Sequence, residues 1–265
     1  MVVPGLSWRT RGRQAARRSS FLALALLLGV LGSLHPASAA SLSTGQAEYG
    51  VSWNGIPAGG ATVAVRADKQ GDQPVYRVEA VARTNWFVDL LWHFRAHAAS
   101  SFTSDKLVPL GYRYDRKEND KRIVTDVTFN HSTGVTGTKY RGKDAQVIEL
   151  QDAGLLDPIT AIFRALVQPV HAGEVVRSEV FTGEARYRVE LTVTGEDTVT
   201  VAAGTYRAWR MEPRVWKIGS GADSRLRHAT LWVAQEAPQI PVRIRSEVFI
   251  GAVNCDLLQV RPLGT

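Results

Sequence analysis

Two histidines, His93 and His97, stand four residues apart, a spacing that on a helix puts two imidazoles on one face, as in zinc hydrolases. Phe94, Arg95 and Ala96 lie between them, so the glutamate that would act as general base is missing, and no third ligand is evident. The pair reads as structural or solvent-facing histidines, and no metal or cofactor is expected. A nucleophilic serine needs an oriented base and an oxyanion site. Gly-x-Ser-x-Gly does not occur, and Gly219-Ser220-Gly221-Ala222-Asp223-Ser224 falls between two predicted strands, the setting of a hairpin loop. Gly-Lys-Ser/Thr phosphate loops are absent too. Asp115, Glu118 and Asp120 surround a Lys/Arg-rich hairpin that reads as a solvated tip. A paired-acid hydrolase needs two carboxylates at a set separation, which position along the chain does not define. No catalytic residue is assigned.

Arginines give the one pattern that suggests binding. Arg210 and Arg214 share strand parity, as do Arg243 and Arg245, and a meander through the predicted strand Arg225 to Val233 brings their segments close. A guanidinium presents a planar donor fork that matches carboxylate and phosphate. Arg210, Arg214, Arg243 and Arg245 are therefore the candidate ligand-binding residues, for an anionic lipid head group or an acidic glycan. The competing reading is an exposed strand face balanced by Glu212 and Glu247.

The elements that must position these residues are mostly strands. Tyr187, Val189, Leu191 and Val193 alternate with Arg186, Arg188, Glu190 and Thr192, the period-two pattern of a half-buried strand. Similar segments run Glu48 to Trp53, Ala61 to Ala67, Val75 to Arg83, Leu107 to Arg116, Arg122 to Asn130 and Val135 to Tyr140. They continue with Glu174 to Phe181, Tyr206 to Lys217, Arg225 to Val233, Val242 to Ile250 and Val253 to Val260. Short turn signals separate them, among them Gly71-Asp72, Gly183-Glu184 and Gly195-Glu196-Asp197. Connections this short favour antiparallel neighbours. The expected fold is mainly β: a single antiparallel meander forming a curved sheet or a partly closed β-barrel. One helix is expected near 158–168, with Asp157 as N-cap, Pro158 at the first helical position and an apolar face of Ile159, Ile162, Phe163 and Leu166. A short helix is assigned to Asn85 to Phe94, although a strand or an aromatic loop also accommodates its residues.

Residues 1–40 read as an address. Arg9, Arg11, Arg13, Arg17 and Arg18 lead into an apolar run from Phe21 to Leu31, followed by small-residue cleavage sites at Ala37-Ser38-Ala39 and Ser38-Ala39-Ala40. The run is shorter than the roughly 20 apolar residues of a transmembrane helix. A cleaved secretory signal is expected, by the general route, leaving 41–265 as a single β-rich domain with no stable transmembrane segment. No cysteine lies near the cleavage site, so a lipoprotein is not expected. Without the five leader arginines, 27 basic residues face 25 acidic ones, a net charge of +2. That balance removes the support for nucleic-acid binding. Cys255 is the only cysteine, so no intramolecular disulfide forms, and its strand-like setting suggests a buried small hydrophobe.

Four stretches in order carry a family resemblance: Tyr49-Gly50-Val51-Ser52-Trp53-Asn54-Gly55-Ile56-Pro57-Ala58-Gly59, Asp157-Pro158-Ile159-Thr160-Ala161-Ile162-Phe163-Arg164, Val201-Ala202-Ala203-Gly204-Thr205-Tyr206, and Leu231-Trp232-Val233-Ala234 followed by Ile240-Pro241-Val242-Arg243. In these the chain resembles the exported bacterial proteins of domain of unknown function 3108. The resemblance implies a signal peptide and a single β-rich domain, and carries no catalytic residues. Gly59 and Gly204 read as tight-turn positions with positive φ, and Pro241 as the start of a strand. The expected function is that of a periplasmic, non-catalytic protein binding an apolar or amphipathic envelope ligand, a lipid or glycan. The alternative is an envelope hydrolase acting on polysaccharide or lipid.

Overall fold

A computed structural model describes residues 42–219, 229–247 and 251–262. The chain forms β1 (Gly45–Trp53), β2 (Ile56–Gln70), β3 (Gln73–Thr84), α1 (Trp86–Asp89), β4 (Phe94–Thr103), β5 (Pro109–Glu118), β6 (Lys121–Asn130), β7 (Gly134–Arg141) and β8 (Asp144–Leu150). After α2 (Pro158–Val167) come β9 (Val175–Phe181), β10 (Arg186–Val201), β11 (Gly204–Lys217), β12 (Ala229–Ala234), β13 (Pro241–Glu247) and β14 (Ala252–Arg261). The proposed leader lies outside the described residues. So do Ser220 to Ser224, the first part of the expected strand 225–233 and the end of that at 242–250.

All fourteen strands pair antiparallel in one sheet, in the order β8-β7-β6-β5-β4-β3-β2-β1-β14-β13-β12-β11-β10-β9. The first and last described strands, β1 and β14, meet in the middle, whereas β8 and β9, consecutive along the sheet strands, form its two unpaired edges. The sheet is thus curved and barrel-like without closing. Period-two alternation gives it an apolar face. Val65, Val78, Ser100, Tyr112 and Val127 form one transverse row across β2 to β6. Cys255, Ile244, Leu231, Met211 and Val193 form another across β14 to β10. Every side chain in both rows is buried.

α2 lies against this face. The Asp157 carboxylate caps it, accepting from the Ile159 N–H at 2.9 Å and the Thr160 N–H at 3.1 Å. The Ser100 hydroxyl on β4 donates to the other Asp157 oxygen at 3.0 Å, which ties the helix start to the sheet. Ile159, Phe163 and Leu166 are buried, and Phe163 stacks obliquely on Phe102 of β4 at 5.7 Å. Ile162 is only half-buried at the margin of the core.

Several expectations change. The helix assigned to 85–94 shrinks to Trp86–Asp89 with Asn85 as N-cap, because Phe94 already pairs with Glu118 as the start of β4. β4 has no strand signature in the sequence because its inward residues Ala96, Ala98 and Ser100 are small. That smallness leaves room for α2. β8 is an exposed edge strand without a clean apolar alternation. Gly195-Glu196-Asp197 is paired strand inside β10 and not a turn: the bulge falls at Thr194, between Val193 and Gly195 (φ 155), and the strand continues to Val201. Gly204 has the positive φ expected of a turn glycine (139). Gly59 instead lies within β2, where a Cβ would approach the Arg83 carbonyl oxygen to 2.2 Å. Pro241 begins β13 as expected.

Candidate functional site

Between β8 and α2 the chain turns back along the free edge of β9. Leu156 donates its N–H to the Glu179 carbonyl at 3.0 Å and accepts from the Phe181 N–H at 2.8 Å, a one-residue parallel bridge. α2 follows beside the same edge. A cleft of about 340 Å³ opens between them, with Leu156, Ala165 and Val176 as its apolar wall and Asp152, Arg164, Gln168, Arg177, Ser178 and Glu179 as its polar one.

The charges in this cleft are unequally engaged. Asp152 and Glu179 both accept from Arg186, at 2.5 and 3.3 Å, and Glu179 also meets Arg188 at 3.3 Å. Arg177 reaches out to Glu190 at 3.0 Å. Arg164, in the last turn of α2, has no ion pair among the described residues. The two carboxylates are therefore taken up by guanidiniums and do not face each other as an acid/base pair. What the cleft offers is a cation without an ion pair among the described residues, beside an apolar wall. Arg164 is absent from the arginine pattern read along the strands. Its only sequence signal is a lone basic residue on the half-exposed side of an apolar helix.

The four strand arginines separate into two kinds. Arg210, Trp232 and Arg243 are register partners across β11, β12 and β13, so the expected convergence of the segments holds. Both arginines already have carboxylates: Arg210 contacts Asp197 at 3.3 Å, and Arg243 makes a two-point pair with Asp256 at 2.6 and 3.0 Å. The Trp232 Nε1–H also donates to Asp197, at 2.8 Å. The balancing acids are thus Asp197 and Asp256, in place of Glu212 and Glu247. Arg214 and Arg245 are exposed, and neither has an ion pair among the described residues.

Other sequence candidates disperse. His93 sits in the loop after α1, 3.5 Å from Asp89, and His97 is an exposed residue of β4, so the two share no helical face. Among the described residues no three His, Cys, Asp or Glu side chains gather as a metal site. Cys255 is fully buried, and burial pushes its thiol far above the usual range. It is a core residue. Asp115 is held by Arg122, which lowers its carboxyl, and Glu118 accepts from the Trp92 Nε1–H at 3.1 Å, whereas Asp120 and Lys121 at the hairpin tip are exposed as expected. Asp157 has the opposite electrostatics: complete burial raises its carboxyl to about 6 against the bonds from Thr160, Ser100 and Ile159.

The profile of the family described as Protein of unknown function (DUF3108) matches residues 48–257. No curated protein matches the sequence. Among solved structures, a beta-barrel-like protein of domain of unknown function DUF1849 from Brucella abortus is similar at a TM-score of 0.54 and 10% identity, covering 85% of this chain and 100% of that one. A protein from Bacteroides fragilis described as exported, with a YmcC-like fold, aligns at a TM-score of 0.37 and 10% identity, over 83% of this chain and 97% of its own. The first likeness is one of fold alone, and the second is too distant to add to it. No helix among the described residues is long and apolar enough to cross a membrane.

Proposed function

The chain belongs to the family of proteins of unknown function DUF3108, and from that premise we propose that it is exported to the periplasm and there binds an amphipathic, anionic envelope molecule without transforming it. The leader-like residues 1–40 support export. The observation that carries the binding reading is Arg164, a guanidinium with no ion pair among the described residues, beside the apolar wall of the α2–β9 cleft. Small-molecule sites combine such an apolar surface with a few orienting polar groups. Arg164 would hold the anionic group, Gln168 and Ser178 would hydrogen-bond its neighbours, and Leu156, Ala165 and Val176 would take the apolar part. Arg214 and Arg245, exposed and without an ion pair among the described residues, would offer a second anion contact, with Arg210 and Arg243 restrained by their aspartates.

The test is equilibrium binding of a short-chain phosphatidylglycerol below its micelle concentration, and of an acidic oligosaccharide, to the exported protein. Arg164→Gln should weaken binding of the preferred class about tenfold or more, the loss expected for a charged hydrogen bond. An Arg214→Gln, Arg245→Gln pair should change affinity less and chiefly at low salt. Equal binding by wild type and Arg164→Gln, or none by either, would sink the cleft as the site. Catalytic turnover of either ligand would instead favour the envelope hydrolase.

A further inference from the structure

The rim of the barrel-like sheet that carries the β1–β2 and β3–β4 connections is apolar where it meets solvent. Leu91 is 81% exposed, Trp86 77%, Leu90 74%, Ile56 55% and Phe87 49%. Side chains of this size rarely stand together in water without a partner. They are also built to stay where they are. The Asn85 side chain both caps α1 and donates to the Pro57 carbonyl at 2.7 Å, and its backbone N–H donates to the Ala58 carbonyl at 2.9 Å, which fastens the β3–β4 loop to the β1–β2 hairpin. From the other side, the Asn119 N–H reaches the His93 carbonyl at 2.8 Å and the Asn119 side chain accepts from the His93 N–H at 2.9 Å. Trp92 bonds Glu118 in the same β5–β6 turn. The loop is therefore clamped between its neighbours with its apolar residues facing out.

The charge around this cluster is asymmetric. Asp89, the one acid inside the loop, is neutralised by Arg95 at 2.5 Å, accepts from the Thr84 hydroxyl, and is mostly covered. The β5–β6 turn next to the loop contributes Lys117 and Lys121, and the β7–β8 turn, bonded to it through the Gly142 N–H and the Arg122 carbonyl at 3.4 Å, contributes Lys143. All three lysines are exposed, as is Arg83 at the end of β3, and none of the four has an ion pair among the described residues; against them the same turns carry two exposed acids, Asp120 and Asp144. Loop tips bearing Trp, Phe and Leu beside exposed lysines match a bilayer surface with anionic head groups, where aromatic and aliphatic side chains enter the interface and ammonium groups meet phosphate.

We propose that this rim docks on an anionic lipid bilayer, with Trp86, Phe87, Leu90, Leu91 and Ile56 entering the interface and Lys117, Lys121 and Lys143 facing the phosphates. The docking is peripheral. It is independent of the α2–β9 cleft, which lies on a different part of the sheet, and would let a ligand carrier work at the membrane face.

The test is co-sedimentation of the exported protein, with loss of residues 1–40 verified by intact mass, with vesicles of phosphatidylethanolamine and phosphatidylglycerol or of phosphatidylcholine alone. Wild type should bind the anionic vesicles and lose binding as salt rises. A Trp86→Ser, Leu90→Ser, Leu91→Ser variant should bind about tenfold more weakly or less, with an unchanged melting temperature, since these side chains contribute little burial to the folded state. If that variant does not fold, a Lys117→Glu, Lys121→Glu variant provides the reading: it should lose binding to the anionic vesicles. Absence of wild-type binding, or undiminished binding by the variants, overturns the proposal. So does a concentration-dependent dimer abolished by the loop variant without vesicle binding, which would make a second copy the occupant. Arg164→Gln should leave vesicle binding intact, and the loop variant should keep its affinity for the soluble ligands, so failure here and failure of the cleft are told apart.

Discussion

At the scale of single residues, Asp157 joins local and long-range structure. Its type and position, just before a proline at the head of an apolar run, mark it as a cap, and its oxygens do accept from Ile159 and Thr160. The sequence does not reveal that the same carboxylate is fully buried under β4 and bonded to Ser100, fifty-seven residues away. Burial raises its carboxyl to about 6, whereas an unfolded chain leaves it near its ordinary value of 3.8. Between these limits the folded state binds the extra proton, so stability falls as pH rises from about 4 to about 6 and is greatest on the acid side of that window. An Asp157→Asn variant keeps a capping oxygen but does not titrate. The stability of wild type relative to the variant should therefore fall by on the order of 3 kcal/mol between pH 4 and pH 7, measured by urea unfolding. Parallel stability profiles for the two proteins would show that the carboxyl is not perturbed in this way.

Among the elements, α2 is the one whose start, end and main buried positions could all be read in advance, since cap, proline and 3.6-residue periodicity agree. Its depth depends on β4, a strand without the local signature of one. Ala96, Ala98 and Ser100 lack the bulk that marks a strand, yet bulk there would displace the helix. Phe163 stands at the centre of this contact, with no exposed surface and Phe102 at 5.7 Å. Phe163→Ala should destabilise the protein by about 3 to 5 kcal/mol, read as a lower denaturation midpoint at unchanged slope. A negligible shift would remove α2 from the core. The bulge at Thr194, just before Gly195, teaches the converse lesson: a glycine followed by two acids signals a break in the ladder, and only pairing with β11 decides that the strand continues beyond it.

For the whole molecule, the decisive feature is the seam between the unpaired edge strands. No backbone ladder joins β8 to β9, yet the β9–β10 turn leans across the sheet onto β6 and β7. Glu184 meets Lys139 at 3.0 Å and Arg141 at 3.7 Å, and Gly183, with a φ of 79, lies so close to Thr125 that an added Cβ would come within 2.0 Å of its methyl carbon. Gly183→Ala should thus cost about 1 to 3 kcal/mol from the backbone conformation alone, with the steric clash added to it. Combining it with Thr125→Ala should recover only the steric part. A single Gly183→Ala variant with wild-type thermal stability would show that the turn is free to lift away and that the seam does not depend on it.

Alternation of apolar and polar residues determined, without any structure, that the described chain is a meander of antiparallel strands, because period two is a property of each strand by itself and short turns leave few ways to connect them. Cap and periodicity likewise determined α2. Strands whose inward residues are small, and the edge strand β8, had no such local signature. The arginine parity brought Arg210 and Arg243 together in the sequence reading, but their partners Asp197 and Asp256 come from strands whose register is set by bulges. Which guanidiniums are left over is consequently a tertiary outcome, and it is Arg164, on a helix, that faces the cleft. The same holds for the apolar rim: hydrophobic residues at 86–91 look alike whether they enter a core or face solvent, and only the clamping of their loop between two neighbouring turns decides that they face outward.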